Sequence, residues 1–143
     1  MSAEENKALI RRYYEEINKG NVAIDDEIMV EGVVYNGDQI GREGMKQFST
    51  MLRTAFPDFR IDLEEMVAER DMVVTYFTFS GTHQEDFMGI PPTGRSFRSK
   101  GMDLYRLVEG KIVEIRDVVD VYEWLKQLGV IPAPEQAEEV TPT

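Results

Sequence analysis

The sequence predicts an α+β protein in which helices cover one face of a curved antiparallel β-sheet. Three observations carry this expectation. Apolar residues at helical spacing are confined to the first 55 residues and a short segment near residue 125. Residues 59–121 are dominated by runs rich in Val, Ile, Thr, Tyr and Phe, and the turns between these runs are short enough to join antiparallel neighbours.

Each element has a local reason. Ser2 followed by Glu5 reads as a capping box, and Leu9, Ile10, Tyr13, Tyr14 and Ile17 form an apolar stripe ending at Gly20, so a first helix spans about residues 3–19. Between Asn21 and Val30 the pattern is weak, with Ile24 and Ile28 one turn apart. Val33-Val34-Tyr35 then reads as a strand entering a tight turn at Asn36-Gly37. Met45, Phe48, Leu52 and Phe56 give a second long helix over about 42–55, closed by Pro57. Phe59, Ile61 and Leu63 alternate, and 72–82, 95–108 and 111–121 follow as further strands. Their connections are Glu69-Arg70-Asp71, the longer Gln84–Gly94 loop and Glu109-Gly110, which make the sheet a meander with one long loop. A last helix over about 122–128 packs Trp124, Leu125 and Leu128 and stops at Gly129. Strands of this length twist away from a flat layer, so a sheet closed off by helices can enclose a small-molecule cavity.

Composition narrows the function classes. The 143 residues suit a single domain over 1–131, with 132–143, holding three prolines and three glutamates, as a mobile acidic tail. Hydrophobic residues at 42% and charged residues at 30% are the balance of a chain that buries one core. Sixteen Lys+Arg against 27 Asp+Glu leave a net charge of −11, which argues against a nucleic-acid partner or an anionic membrane surface. Cysteine is absent, and His83 is the single histidine, so thiol chemistry and multi-histidine metal sites are excluded and no metal site is expected. There is no apolar stretch near the ~18 residues of a membrane span and no apolar signal-peptide core, so the expected location is cytoplasmic. GxSxG, HExxH, P-loop and GxGxxG motifs are all missing.

Several residues remain as candidates for chemistry. Asp120 closes the run from Lys111 to Val121 among apolar neighbours, where desolvation would suit it to general-base work; with Glu123 three residues on, it reads equally as the cap of the last helix. His83 stands where the strand carrying Tyr76, Phe77 and Phe79 meets the long loop, placed to serve as a hydrogen-bond donor or acid, or as a surface or merely hydrogen-bonded histidine. Registering the last two strands on the Glu109-Gly110 turn pairs Val108 with Lys111, Tyr105 with Glu114, Asp103 with Arg116 and Ser99 with Asp120. That ladder puts Met102, Leu104, Arg106, Val113, Ile115 and Val119 on the other, more apolar face. Arg106 and Asp120 then share one cavity only if a bulge between residues 114 and 120 shifts the phase. Tyr14 is a candidate for a phenol hydrogen bond to a bound carbonyl, with core filling as the alternative for it and for Tyr13. Phe79 and Leu104 are candidates for the apolar lining.

The segments Ala55-Phe56-Pro57-Asp58-Phe59, Gly81-Thr82-His83, Gly89-Ile90-Pro91-Pro92-Thr93-Gly94, Gly110-Lys111-Ile112-Val113-Glu114 and Gln127-Leu128-Gly129-Val130, in this order and spacing, resemble the SnoaL-like polyketide cyclases, or ester cyclases. The likeness covers about residues 5–131. It implies the nuclear-transport-factor-2-like fold, a strongly curved antiparallel sheet wrapped by helices into a cone with an internal pocket, in homodimers or homotetramers. It also implies aldol ring closure of a polyketide-like ester without a cofactor, a small hydrophobic, polycyclic or polyketide-like ligand as partner, Asp120 as the acid/base and His83 in the pocket. Arg106 is then a candidate partner of the enolate or carbonyl. Ile115-Arg116 stands where many members show His-Trp. Two other functions fit the same fold: epoxide hydrolysis or hydration by an Asp–Arg–Asp group, in which Arg116 would join Asp117, Asp120 or Asp103, and a non-catalytic binding module.

Overall fold

The computed structural model describes residues 1–131, so the expected tail at 132–143 lies outside the described residues. Among these, the order is α1 (Ala3–Asn18), α2 (Ile24–Ile28), β1 (Met29–Tyr35), α3 (Gly41–Ala55), β2 (Arg60–Glu69), β3 (Met72–Thr82), β4 (Ser96–Val108), β5 (Lys111–Val119) and α4 (Val121–Leu128). The α+β architecture expected from the sequence is present. The capping box at Ser2 forms in both directions: Ser2 Oγ accepts from the Glu5 amide at 3.1 Å and Glu5 Oε1 accepts from the Ser2 amide at 3.0 Å. Gly129 ends α4 in the left-handed region at φ 80°, which glycine adopts without a steric penalty.

The sheet runs β1-β5-β4-β3-β2, and β2 to β5 form the antiparallel meander. Two features depart from the sequence reading. The weakly patterned stretch after Gly20 contains α2, and β1 begins at Met29 and lies parallel to β5 along its free edge. Parallel pairing comes from tertiary packing after a long crossover, which no local turn signal announces.

The β4–β5 register differs from the expected one in a way that decides the site. Val108 faces Lys111 as expected, and Leu107 faces Ile112. Arg106 then faces Glu114, so β5 carries one extra residue, a β-bulge at Val113. Beyond it Tyr105 pairs with Ile115, Asp103 with Asp117 and Gly101 with Val119. Because side chains alternate with period two, one extra residue exchanges the two faces of β5. Ile115, Asp117 and Val119 turn inward beside Gly101, Asp103 and Tyr105, while Glu114, Arg116 and Val118 turn outward beside Met102, Leu104 and Arg106. The core lies between the inner face of the sheet and α1, α3 and α4. Its centre is an aromatic cluster in which Phe56 meets Phe87 and Phe97 at 5.2 Å, and Trp124 meets Phe79 at 5.0 Å. Among the described residues no helix is long and apolar enough to cross a membrane.

Candidate active site

The inner face of the sheet and helices α1, α2 and α3 enclose a cavity of about 150 Å³. Most of its wall is apolar: Ile61, Phe77, Phe79 and Ile115 from the sheet, Ile17 from α1, and Met45, Phe48 and Leu52 from α3. Trp124 of α4 also reaches it. Polar groups line it on two sides: Asp103 and Asp117 oppose each other on β4 and β5, and Asn21, Asp25, Ser49 and Arg53 lie along the helical side.

Asp103 is 8% exposed, and its oxygens are unequal. Oδ2 accepts from the Tyr105 hydroxyl at 2.7 Å and from the Tyr14 hydroxyl at 3.2 Å. The two phenol oxygens lie 2.9 Å apart, and Tyr14 also meets Thr75 Oγ1 at 2.7 Å. Oδ1 meets no hydrogen-bond donor among the described residues, and Asp117 stands opposite on β5. Burial pushes the Asp103 carboxyl well above the usual carboxylate range, and the hydrogen bond and negative charge of Asp117 push it the same way. Burial beside a second acid therefore favours the protonated form of Asp103.

Asp117 is the more accessible partner. Its Oδ1 accepts from the Tyr35 hydroxyl at 3.1 Å, and its backbone N–H donates to Asn36 Oδ1 at 2.7 Å. Asn36 sits at φ 49°, a left-handed conformation that asparagine tolerates and that aims its amide at β5. The surrounding phenols stay neutral: burial raises Tyr14, Tyr35 and Tyr105, and the neighbouring acids add to this, Asp117 most at Tyr35. The site therefore brings two opposed carboxyl groups and a set of neutral phenols together on the wall of an apolar chamber.

The residues singled out in the sequence divide between this cavity and other places. Tyr14 and Phe79 line it. Asp120 does not: its Oδ1 accepts from the Glu123 amide at 3.0 Å as the N-cap of α4, and its carbonyl accepts from Ser99 Oγ at 2.9 Å. His83 is fully buried rather than at the surface, stacked on Phe56 at 5.2 Å, with Nδ1 accepting from the Thr93 amide at 3.2 Å; it ties down the base of the Gln84–Gly94 loop, away from the cavity lining. Leu104, Arg106 and Arg116 face outward because of the alternation on β4 and the bulge on β5. Arg106 pairs with Asp71 at 3.4 Å and with Glu114 at 3.5 Å, and Arg116 pairs with Glu114 at 3.1 Å. The expected Asp103–Arg116 charge pair is thus replaced by Asp103–Asp117, and the Asp–Arg–Asp group is not assembled around Arg116.

Sequence reasoning missed Tyr35 and Tyr105 as cavity or site residues and placed Asp117 only in an Asp–Arg–Asp group with Arg116, not opposite Asp103. The structure shows the phase change directly, since Ile112 and Ile115 are both buried at a spacing of three, whereas in the sequence the apolar Val113 between them hides it.

Comparison with known proteins agrees with the fold. The family model for SnoaL-like polyketide cyclase matches residues 7–128. Aklanonic acid methyl ester cyclase DnrD of Streptomyces peucetius is 33% identical over 138 residues, covering 89% of this chain and 93% of the relative. Nogalonic acid methyl ester cyclase of Streptomyces nogalater is 34% identical over 108 residues, covering 74% of this chain and 80% of the relative. Among solved structures, AclR, a candidate hydroxylase from Streptomyces galilaeus, superposes with a TM-score of 0.83 at 28% identity, over 92% of this chain and all of its own. IdmH, a candidate polyketide cyclase from Streptomyces antibioticus, gives 0.78 at 30% identity over 87% of this chain and 99% of its own. With its family model matched over most of the chain, two ester cyclases aligned across most of their length, and a sheet that wraps an apolar chamber, this chain belongs to the SnoaL-like polyketide cyclases.

Proposed function

We propose that this protein closes a ring in a polyketide methyl ester by an intramolecular aldol reaction, with Asp117 as the base and Asp103 as the acid that accompanies it. The observation that carries this reading is the opposed Asp103–Asp117 pair on the cavity wall, one carboxyl held neutral by burial and the other open to a ligand. A carbon flanked by carbonyl groups is already acidic, so a positioned carboxylate suffices to take its proton. Asp117 removes that proton, and the enolate forms the new carbon–carbon bond to a second carbonyl of the same molecule. The resulting alkoxide takes a proton back from the doubly protonated pair. Asp103 and Asp117 then again hold one proton between them, and nothing but the substrate has changed. Neutral phenols at Tyr14, Tyr35 and Tyr105 keep the pair oriented, and the apolar wall excludes water that would quench the enolate. No cofactor has a role in this cycle. The ester cyclase activity named for the two Streptomyces relatives supports the substrate class.

The base is assigned to Asp117 rather than Asp120 because Asp117 lines the cavity while the Asp120 carboxylate is spent on the α4 cap. Ring closure of an aromatic polyketide methyl ester by two variants tests the assignment. Asp117→Asn is expected to lower kcat by about 10²- to 10⁴-fold without loss of folding, whereas Asp120→Asn keeps turnover within a few-fold. The opposite ranking would remove Asp117 as the base.

The reading includes a homo-oligomeric, cytoplasmic enzyme. Its support for assembly is a row of exposed apolar side chains across three strands of the outer sheet face: Tyr76 pairs with Met102 and Met102 with Val118, which is 75% exposed.

A further inference from the structure

We propose that Asp25 is a substrate-recognition residue whose buried carboxylate accepts a hydrogen bond from a hydroxyl on the part of the ligand remote from the reacting carbon. This rests on the proposed function, since it names what the same cavity selects.

Asp25 lies in α2, is 2% exposed and lines the cavity from its helical wall, whereas Asp103 and Asp117 belong to the sheet. Ile24, Asp25 and Ile28 are the buried residues of α2, so a carboxylate occupies a position where core packing alone calls for an apolar side chain. Its Oδ2 is buried and meets no hydrogen-bond donor among the described residues. The cations around α2 are engaged elsewhere. Lys46 Nζ donates to both oxygens of Asp26 at 3.1 and 3.2 Å, Arg42 lies 3.3 Å from Asp26 and donates to the Met29 carbonyl at 3.3 Å, and Arg12 pairs with Glu27.

A buried oxygen without a donor is a standing cost that a bound donor removes. On the sheet wall Asp103 Oδ1 also lacks a donor but belongs to the pair with Asp117, so on the helical wall Asp25 Oδ2 is the acceptor left open to a ligand that enters. Site chemistry of this kind discriminates strongly, because an analogue that lacks the donor leaves the acceptor desolvated and unpaired. A free hydroxyl is therefore admitted at this wall and its methyl ether is disfavoured.

The probes are 2-(hydroxymethyl)anthraquinone and 2-(methoxymethyl)anthraquinone, which are flat, apolar and free of ionisable groups, and which differ at the hydrogen-bond donor. Binding to the full chain is read from the fluorescence of Trp124, the single tryptophan and part of the cavity wall. The wild type is expected to bind the alcohol about tenfold more tightly than the ether. Asp25→Leu, with Asp25→Ala as the second variant should leucine not fold, is expected to bring the two affinities together while leaving that for the ether unchanged. A tenfold preference that survives either substitution overturns the proposal, as does a wild type that binds both probes equally; the ring-closure reading stands in both cases. A wild type that binds neither probe contradicts the ring-closure reading and takes this proposal with it.

Discussion

Asp103 and Asp117 face each other from adjacent strands, and burial favours the protonated form of Asp103. The same physics acts on Asp25, whose carboxyl burial raises from 3.8 to about 6. A raised value means that the native state binds the proton more readily than the unfolded chain. The favourable contribution is therefore complete below about pH 4 and is lost as pH rises through about 6. Asp25→Asn, which cannot ionise, is expected to be more stable than the wild type at neutral pH by about 2 kcal/mol and equal to it below about pH 4. Urea unfolding at the two pH values checks this; a difference of the same size at both would show that ionisation of Asp25 is not its cause. A residue that weakens the fold at neutral pH is easier to understand as a recognition group than as a structural one. At Asp120 the roles are reversed: Asp120→Ala removes an N-cap and is expected to cost about 1 kcal/mol in the same unfolding experiment.

Among the elements, β5 shows how far sequence carried the reading and where it stopped. The capping box at Ser2, the stop at Gly129 and the Glu109-Gly110 turn are local, and each was readable from a few neighbouring residues. The bulge at Val113 is local too, but it falls just before the 114–120 window in which the sequence reading allows one, and a ladder kept regular up to residue 114 puts Asp117 on the wrong face. Tyr14 was accessible because helical periodicity places it on the buried stripe. Asp25 was not, because α2 is only five residues long and its burial depends on how α1, α3 and the sheet enclose it. Gly101 of β4 shows the same dependence on packing. A Cβ there would lie 2.7 Å from Val119 Cγ1 and 2.8 Å from Phe77 Cζ, and both neighbours line the cavity. Gly101→Ala is expected to destabilise the fold by about 1–3 kcal/mol and to reduce ligand affinity, as measured by unfolding and by Trp124 quenching.

For the molecule as a whole, the curved sheet does two jobs with its two faces. The inner face carries the chamber, and the outer face carries the Tyr76–Met102–Val118 row. If that row is the contact between copies, Met102→Lys combined with Val118→Lys is expected to lower the mass found by analytical ultracentrifugation to that of one chain and to leave ring closure intact. An unchanged mass would place the contact elsewhere. The chemistry assigned to the inner face stands or falls on the single proton held between Asp103 and Asp117. A ¹³C NMR titration of protein labelled at the aspartate carboxyl carbons reads that proton. One carboxyl resonance, lost in Asp103→Asn and displaced in Asp117→Asn, is expected to stay in its protonated position at neutral pH. If Asp103 titrates instead in the ordinary aspartate range near ~4, the two acids ionise independently and the acid–base pair proposed here does not exist.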